Sequence, residues 1–195
     1  MQKRAEATRE RILDAALHCF SAHGFHGARV DEIAAKARTN KERIYANFTD
    51  KEGLYAETIR RAFAEIAEEE ERVAKELAGR TDRLPELLLE RYLSLHEKRP
   101  HLWRLFAWEN LEGARHAETL GALRRPALAR LRELHAEWSR GRKRSPSFEA
   151  FFFALSALPF FAFSNRETFA RTSGIDLRDP KVRRDLLKAC LEALL

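Results

Sequence analysis

The chain has 195 residues, which is enough for one small domain and a larger one, and its 34% charged and 45% hydrophobic residues suit a soluble helical protein. The net charge of +6 permits a nucleic-acid partner without requiring one. Two cysteines, Cys19 and Cys190, are too few for a disulfide framework or a metal site. The apolar segment 148–163 is too short to span a bilayer and is interrupted by Pro159. We therefore expect a cytoplasmic protein with reduced thiols.

The residue types favour an all-α fold, because Ala, Leu, Glu and Arg are abundant whereas Gly, Pro and Val are few. No glycine-rich nucleotide loop and no Gly-x-Ser-x-Gly motif occurs. His96 and His101 are one residue too far apart for a zinc-binding helix pair, and Pro100 lies between them. The sequence therefore predicts no enzyme, no cofactor and no metal.

The first predicted helix starts near Thr8, which can cap it, and ends at Gly24. Its apolar residues recur at helical spacing, so they should line one buried face. They are Ile12, Leu13, Ala16, Leu17 and Phe20.

Two short helices separated by a tight polar break follow. Val30, Ile33, Ala34 and Ala37 have the i, i+3, i+4, i+7 spacing of one helix face. The second helix covers about 41–47, and either Thr39 or Asn40 can cap it. This pattern predicts a helix-turn-helix. The alternative is a solvated amphipathic hairpin.

The second short helix should turn Ile44 and Phe48 inward and leave a polar set facing outward. The outward residues are Lys41, Arg43, Tyr45 and Asn47. These side chains can donate to phosphates and to base edges, which indicates binding to double-stranded DNA.

A long helix should begin in the segment Thr49-Asp50-Lys51-Glu52, which has the spacing of a capping box, and should extend to about Leu77. Lys51 then lies in the first turn, where its ammonium and the free backbone N–H groups can meet one phosphate. The run 68–71 of four glutamates is interpreted as a solvated face.

This order of elements resembles the TetR (tetracycline-repressor-like) family of bacterial transcription regulators over residues 8–60. The matching residues are Phe20, Gly24, Val30, Ile33, Ala34, Ala37, Ile44, Tyr45, Phe48, Lys51, Glu52 and Leu54. The resemblance implies a three-helix DNA-binding domain at 1–52 and a larger helical domain at 53–195 for ligand binding and dimerisation.

Three residues depart from the family pattern. Arg38 stands where a turn glycine is usual, so that backbone is expected to be strained. Arg29 replaces a usual capping Ser or Thr, which weakens the start of that helix, and it is included among the candidate DNA contacts. Asn47 replaces a common histidine.

The rest of the chain reads as further helices over about 85–98, from Pro100, over about 118–138, over 148–164, and from Asp179-Pro180 to the C-terminus. Pro126 is expected to break or kink the helix that contains it. A basic loop covers 140–146.

The helix 148–164 is apolar on nearly every side, so it must be covered on all sides. Its aromatic residues are Phe148, Phe151, Phe152, Phe153, Phe160, Phe161 and Phe163. A second copy of the chain can cover one side, which predicts a homodimer in which this helix and the last one form a four-helix contact. The alternative is a buried core helix in a monomer.

The resemblance also implies a small-molecule effector, whose identity the sequence does not give. The candidate ligand-binding residues are Tyr92, Trp103, Phe106, Glu109, Asn110 and Phe152. Aromatic walls with a few polar groups suit a small organic molecule, although each residue could instead serve core packing. Glu109 and Asn110 are favoured because a buried polar group needs a partner.

The sequence as a whole predicts a homodimeric TetR-like regulator, most often a repressor in such families, that a ligand releases from its operator. The alternative is a helical ligand-binding or protein-interaction module without sequence-specific DNA binding.

Overall fold

The computed structural model describes residues 2–77 and 79–194, without the side chains at 2, 3, 119 and 120. Throughout these residues the secondary structure is helical, with ten α-helices and no strand. The helices are α1 (Gln2–Gly27), α2 (Val30–Lys36), α3 (Lys41–Phe48), α4 (Lys51–Glu76), α5 (Leu84–Lys98), α6 (Pro100–Leu111), α7 (Ala117–Ser139), α8 (Phe148–Ser164), α9 (Arg166–Ser173) and α10 (Pro180–Leu194). The predicted all-α class is confirmed.

The chain forms two compact units. Unit 1 consists of Met1–Ala67 and Arg104–Arg124, and unit 2 consists of Glu68–Trp103 and Arg125–Leu195. Helix α4 therefore contributes to both units, and unit 1 extends beyond the predicted boundary at residue 52. The domains 1–52 and 53–195 were defined by their expected functions, and as functional domains they stay a prediction.

Unit 1 has the core that the periodic apolar residues predict. Each of α1, α2 and α3 buries one apolar face, and α4 adds Leu54 and Ile59. The predicted residues are all buried, namely Ile12, Leu13, Ala16, Leu17, Phe20, Val30, Ile33, Ala34, Ala37, Ile44 and Phe48. Burial of these faces against one another stabilises α2 and α3, which have seven and eight residues and would be too short to persist alone.

Unit 2 is built around the packing of α5 against α8, with α10 contacting both. Leu89 of α5, Phe151 and Leu155 of α8, and Leu187 of α10 belong to one buried cluster. Trp138 of α7 closes the same cluster.

Several helix ends differ from the prediction. α1 begins at Gln2 rather than near Thr8, whose buried hydroxyl donates to the Arg4 carbonyl within the helix. α4 is capped by Asp50, which accepts a hydrogen bond from the Gly53 N–H at 2.7 Å, so the capping box led by Thr49 is wrong. Thr49 itself has a φ of +67°.

Two prolines lie inside helices. α7 continues through Pro126 and α8 continues through Pro159. Each proline removes one hydrogen bond from its helix. Tertiary packing compensates for the loss, since Ala127 of α7 and Pro159 of α8 are buried. A break at Pro126 is therefore wrong, whereas the alternative, a kink, stays a prediction. The sequence did not predict α9, because its eight residues carry little apolar periodicity. In the structure none of them is buried.

Among the described residues, no single helix is long and apolar enough to cross a membrane. α8 and α9 satisfy the length and composition criteria only as a pair, and they are bent by 77° at the break between them.

Candidate nucleic-acid interface

Helix α3 is held by a cap at its start and by two buried side chains on its inner face. Asn40 caps it by accepting a hydrogen bond from the Arg43 N–H at 3.0 Å. Ile44 and Phe48 are buried and hold its inner face, with Ile44 against the core shared with Ile33. Of the two predicted caps, Asn40 is confirmed and Thr39 is not the cap, and the predicted inner residues are confirmed. The outer face of α3 therefore has one defined orientation.

The outer face of α3 presents Arg43, Tyr45 and Asn47, and all three side chains are exposed. The Asn47 amide donates to the Arg43 carbonyl at 2.7 Å, which leaves its side-chain oxygen available as an acceptor. Lys41 lies at the start of this face and is bonded to Asp31 of α2, with 2.7 Å between Nζ and Oδ1. That hydrogen bond raises the pKa of Lys41. The four predicted DNA-binding residues of α3 are thus neighbours, but the Lys41 ammonium is paired with the Asp31 carboxylate.

The turn between α2 and α3 has the conformation that the departure at Arg38 predicts. Arg38 has a φ of +53°, a region that favours glycine because a Cβ is strained there. The Thr39 N–H bonds to the Ala34 carbonyl at 2.9 Å and closes the turn. Arg29 precedes α2, is exposed and makes no side-chain capping bond, so its guanidinium is available to a ligand.

Lys51 lies in the first turn of α4, as predicted. Its Nζ is 4.8 Å from the centre of the Phe25 ring, a cation–π distance. Phe25 also packs on Tyr55, with 5.1 Å between ring centres. An aromatic face therefore holds the Lys51 ammonium without neutralising its charge.

Two predicted effector residues have partners inside unit 1. Glu109 is buried and accepts hydrogen bonds from the Tyr55 hydroxyl at 3.1 Å and from the His116 N–H at 2.7 Å. Burial, reinforced by the Glu109 charge, raises the pKa of Tyr55 above its ordinary value. Asn110 is exposed and donates to the Phe106 carbonyl one turn earlier at 2.8 Å. Both polar side chains thus have protein partners, and their role in effector binding stays a prediction.

The other predicted effector residues fall in different surroundings. Phe106 stacks on Phe63 in unit 1, with 5.0 Å between ring centres. Tyr92, Trp103 and Phe152 belong to unit 2, where Trp103 and Phe152 pack against the buried cluster. The six candidates therefore divide equally between the two units, and neither unit holds them all.

Tyr92 makes a contact that the sequence did not predict. Its hydroxyl donates to Glu70 at 2.7 Å, and both side chains are buried. The interpretation of the glutamate run 68–71 as a solvated face is wrong for Glu70, because four consecutive residues of a helix point to different sides and Glu70 is the one that is buried. Unit 2 thus contains a buried tyrosine–carboxylate pair beside aromatic residues.

Unit 2 also has an open cavity of about 310 Å³ between α4 and α7. Its lining is rich in charged groups and consists of Ala74, Lys75, Gly79, Arg130, Glu133, Leu134 and Glu137. The predicted effector residues do not line this cavity. Such a polar groove differs from the aromatic pocket that the sequence suggested.

The sequence missed the residues that join unit 1 across long separations. Glu112 accepts a hydrogen bond from the backbone N–H of Phe25 at 3.0 Å, 87 positions away in the chain. The glycine at position 24 is a local signal in the sequence, because glycine permits the φ of +68° at which α1 is interrupted. No periodicity indicates which distant side chain meets such a break.

The comparisons with known proteins match both parts of the chain. The family described as "Bacterial regulatory proteins, tetR family" matches residues 12–58, which contain α2, α3 and the start of α4. The family described as "Tetracyclin repressor-like, C-terminal domain" matches residues 86–194. The chain belongs to the TetR family of bacterial regulatory proteins.

Curated TetR-family relatives include the transcriptional repressor NicS of Pseudomonas putida, which is 30% identical over 190 residues, covering 95% of this chain and 89% of NicS. The transcriptional repressor SCO4008 of Streptomyces coelicolor is 38% identical over 107 residues, covering 55% of this chain. That match spans 52% of SCO4008, or about half of its length.

Solved structures of similar fold include SCO4942 from Streptomyces coelicolor, with a TM-score of 0.70 and 29% identity over 95% of this chain and 97% of that one. HlyIIR, a hemolysin II transcriptional regulator, has a TM-score of 0.71 over 97% of this chain and 98% of that one, and its 20% identity shows the fold alone. The TetR-family assignment makes this chain a ligand-responsive DNA-binding regulator with a helix-turn-helix. A helical module without DNA binding is not favoured.

Proposed function

We propose that this TetR-family regulator is a cytoplasmic repressor, not an enzyme, that binds an operator as a homodimer through α3 and leaves it when a small molecule binds. The observation that supports this most directly is the outer face of α3. Arg43, Tyr45 and Asn47 are exposed there, while Ile44 and Phe48 anchor the opposite face in the core.

Each exposed group on this face has a role suited to its chemistry. The fork of Arg43 can donate two hydrogen bonds to the O6 and N7 of one guanine, so Arg43 is assigned to base reading. The Asn47 oxygen can accept from a base amino group. Tyr45, Lys51 and Arg29 are assigned to phosphates, which fix position without reading sequence.

Lys41 has a conditional role. Its partner Asp31 is largely exposed, so this pair is worth little in free energy and a phosphate can replace the carboxylate. If Lys41 leaves Asp31 for a phosphate, the Asp31 carboxylate remains near the DNA. Its repulsion from the phosphates would reduce the gain in binding free energy. Lys41 therefore contributes less than Arg43 to operator affinity.

Dimerisation is supported by apolar side chains that a single chain leaves in water. Phe153 is 73% exposed and Phe161 is 47% exposed, both on α8. Val182 and Leu194 of α10 are exposed as well. A second copy packed on α8 and α10 would cover these groups, and two α3 helices spaced by about 34–36 Å can enter successive major grooves.

The effector is assigned to unit 2, which contains three of the six predicted residues, Tyr92, Trp103 and Phe152. Tyr92 forms a buried pair with Glu70 and belongs to the cluster against which Trp103 and Phe152 pack. A small organic molecule with a hydrogen-bonding group could exchange for one partner of that pair. It releases the operator only to the extent that it binds the DNA-free arrangement more tightly.

The experiment that tests the function is selection of genomic DNA. Purified protein is mixed with fragments of the genome that encodes it, at moderate salt, and the retained DNA is sequenced. A near-palindromic site should be enriched, and Arg43→Ala should lower affinity for it by about 1–3 kcal/mol while relaxing preference at one or two base pairs. Retention without any sequence preference would instead support a helical ligand-binding or protein-interaction module.

A further inference from the structure

The C-terminal end of α6 is joined to a break in α1. Gly24 interrupts α1 with a φ of +68° and a ψ of −177°, so the N–H groups of Phe25 and His26 begin a new helical turn. Such N–H groups have no partner within the helix. Glu112 supplies one, with its two carboxylate oxygens 3.0 and 3.1 Å from the Phe25 nitrogen and one oxygen 3.5 Å from the His26 nitrogen.

The close approach depends on the missing side chain at Gly24. A Cβ there would lie 2.7 Å from both the Glu112 oxygen Oε1 and the Trp108 ring. Trp108 and Glu112 therefore occupy the space beside the break. A carboxylate at the start of a helical turn is favourable, because it accepts charge-assisted hydrogen bonds and faces the positive end of the helix dipole.

Phe25, whose backbone is held by Glu112, also supports Lys51 through its ring. The Phe25 ring has two cations near its centre, Lys51 at 4.8 Å and the guanidinium of Arg115 at 5.6 Å. Arg115 also lies 3.8 Å from Glu52, which follows Lys51 in the first turn of α4. The position of Phe25 thus sets where the Lys51 ammonium can rest.

A second connection fixes the same turn of α4. His116 is 3.3 Å from Glu109 through Nδ1 and 3.4 Å from Glu52 through Nε2. Glu109 in turn accepts from the hydroxyl of Tyr55, one turn after Lys51. The segment 108–116 therefore contacts both the ring beneath Lys51 and the helix that carries it.

We propose that Glu112 is a positioning residue for operator binding, which acts by holding Phe25 so that Lys51 meets a DNA phosphate. This inference depends on the proposed operator binding. The Glu112 carboxylate does not touch DNA, because it is occupied by the backbone of residues 25 and 26. Glu112 affects DNA binding by holding Phe25, whose ring in turn positions the Lys51 ammonium.

A double-mutant cycle on operator DNA tests this inference. Affinity is measured by fluorescence anisotropy over a range of salt concentrations for wild type, Glu112→Ala, Lys51→Ala and the double variant. We expect Glu112→Ala to weaken binding by about tenfold and to flatten the salt dependence by about one unit of slope, as Lys51→Ala does, because one phosphate contact is lost. In the Lys51→Ala background the same change should alter affinity by less than about twofold.

Two further variants separate positioning from folding and from net charge. Glu112→Gln keeps an acceptor oxygen and should restore most of the salt slope. Glu118→Ala removes an exposed carboxylate near the start of α7 and should leave the slope at the wild-type value. Thermal unfolding by circular dichroism shows which variants are folded at the temperature of measurement.

The proposal is overturned if Glu112→Ala leaves affinity and slope unchanged, or if the losses from Glu112→Ala and Lys51→Ala multiply in the double variant. The proposed operator function fails by a different observation, namely equal binding of wild type and Arg43→Ala to all sequences. If wild type binds no DNA at all, both are overturned.

Discussion

At the scale of single residues, Gly24 is the position where the backbone and the packing both exclude a side chain. Its φ of +68° with a ψ of −177° is a conformation accessible in practice to glycine alone. A Cβ would also meet the Trp108 ring at 2.7 Å, closer than real contacts allow. The identity of this residue is therefore fixed by the contact between α1 and the segment after α6.

Gly24→Ala is expected to lower the free energy of unfolding by about 2–4 kcal/mol, since backbone strain and overpacking each cost about 1–3 kcal/mol. Gly121 is a matched control, because a Cβ there meets nothing within 4 Å and the residue lies inside α7. Gly121→Ala should raise stability by up to about 1 kcal/mol. Urea unfolding curves compare the two, and equal effects would contradict the contact described at Gly24.

At the scale of elements, the turn between α2 and α3 has a residue that does not suit its conformation. Arg38 has a φ of +53°, where an L-residue is strained by roughly 1–2 kcal/mol. Arg38→Gly should therefore raise the free energy of unfolding by about 0.5–1 kcal/mol after the larger chain entropy of glycine is subtracted. Arg38→Ala retains the strain and loses the same charge. If both variants melt alike, the turn is not strained.

The elements show which features the sequence could predict. Ile33, Ile44 and Phe48 were placed correctly because their spacing reports which face of a short helix is buried. Asn40 was one of two caps that the sequence offered, because Thr39 also precedes the short helix. Thr49 was chosen over Asp50 because spacing alone does not reveal that Thr49 ends α3, with a φ of +67°.

Long-range polar contacts could not be predicted in the same way. Glu109 and Glu112 lie three residues apart on one helical end, yet one bonds to Tyr55 and the other to the backbone of Phe25. Their partners are 54 and 87 positions away. Helical periodicity gives the face of a residue and not the distant group that meets it. The sequence therefore could not give the partners of Glu109 and Glu112, and the effector residues stay a prediction.

At the scale of the whole molecule, a partly buried imidazole connects stability to pH. His96 packs against Phe163 at 5.4 Å between ring centres, and its Nδ1 is buried with no hydrogen-bond partner among the described residues. Burial lowers the pKa of His96 to about 4, from an ordinary value of 6.5. Above pH 6.5 the ring is neutral in both states and contributes no pH dependence.

The stability of the wild type should therefore fall as the pH decreases from 6.5 to about 4, where the unfolded chain binds a proton that the folded chain excludes. The loss from this group is of the order of 2–3 kcal/mol. His96→Leu should flatten this part of the profile. The control His18→Gln changes an exposed histidine and should keep the wild-type profile. Urea midpoints at a series of pH values decide, and identical slopes for wild type and His96→Leu would contradict the assignment.

Assembly is the other property of the whole molecule, and the exposure of α8 allows it to be separated from folding. Phe153 and Phe161 are 73% and 47% exposed in the single chain, so a charge at either position leaves the fold of one chain intact. Phe152 packs against the core, and a charge there would unfold unit 2 instead. The exposed positions are therefore the informative ones.

Phe153→Glu and Phe161→Glu are each expected to give folded monomers at micromolar concentration, with dimer affinity reduced by at least about 100-fold, because an unpaired charge buried in an apolar contact costs several kcal/mol. Leu111→Glu serves as the control, since Leu111 is 77% exposed and belongs to α6 of unit 1 rather than to α8 or α10. It should remain dimeric. Sedimentation equilibrium measures all three beside the wild type. A wild type that sediments as a monomer, or charged variants that dimerise as tightly as Leu111→Glu, would show that α8 and α10 are not covered by a second copy.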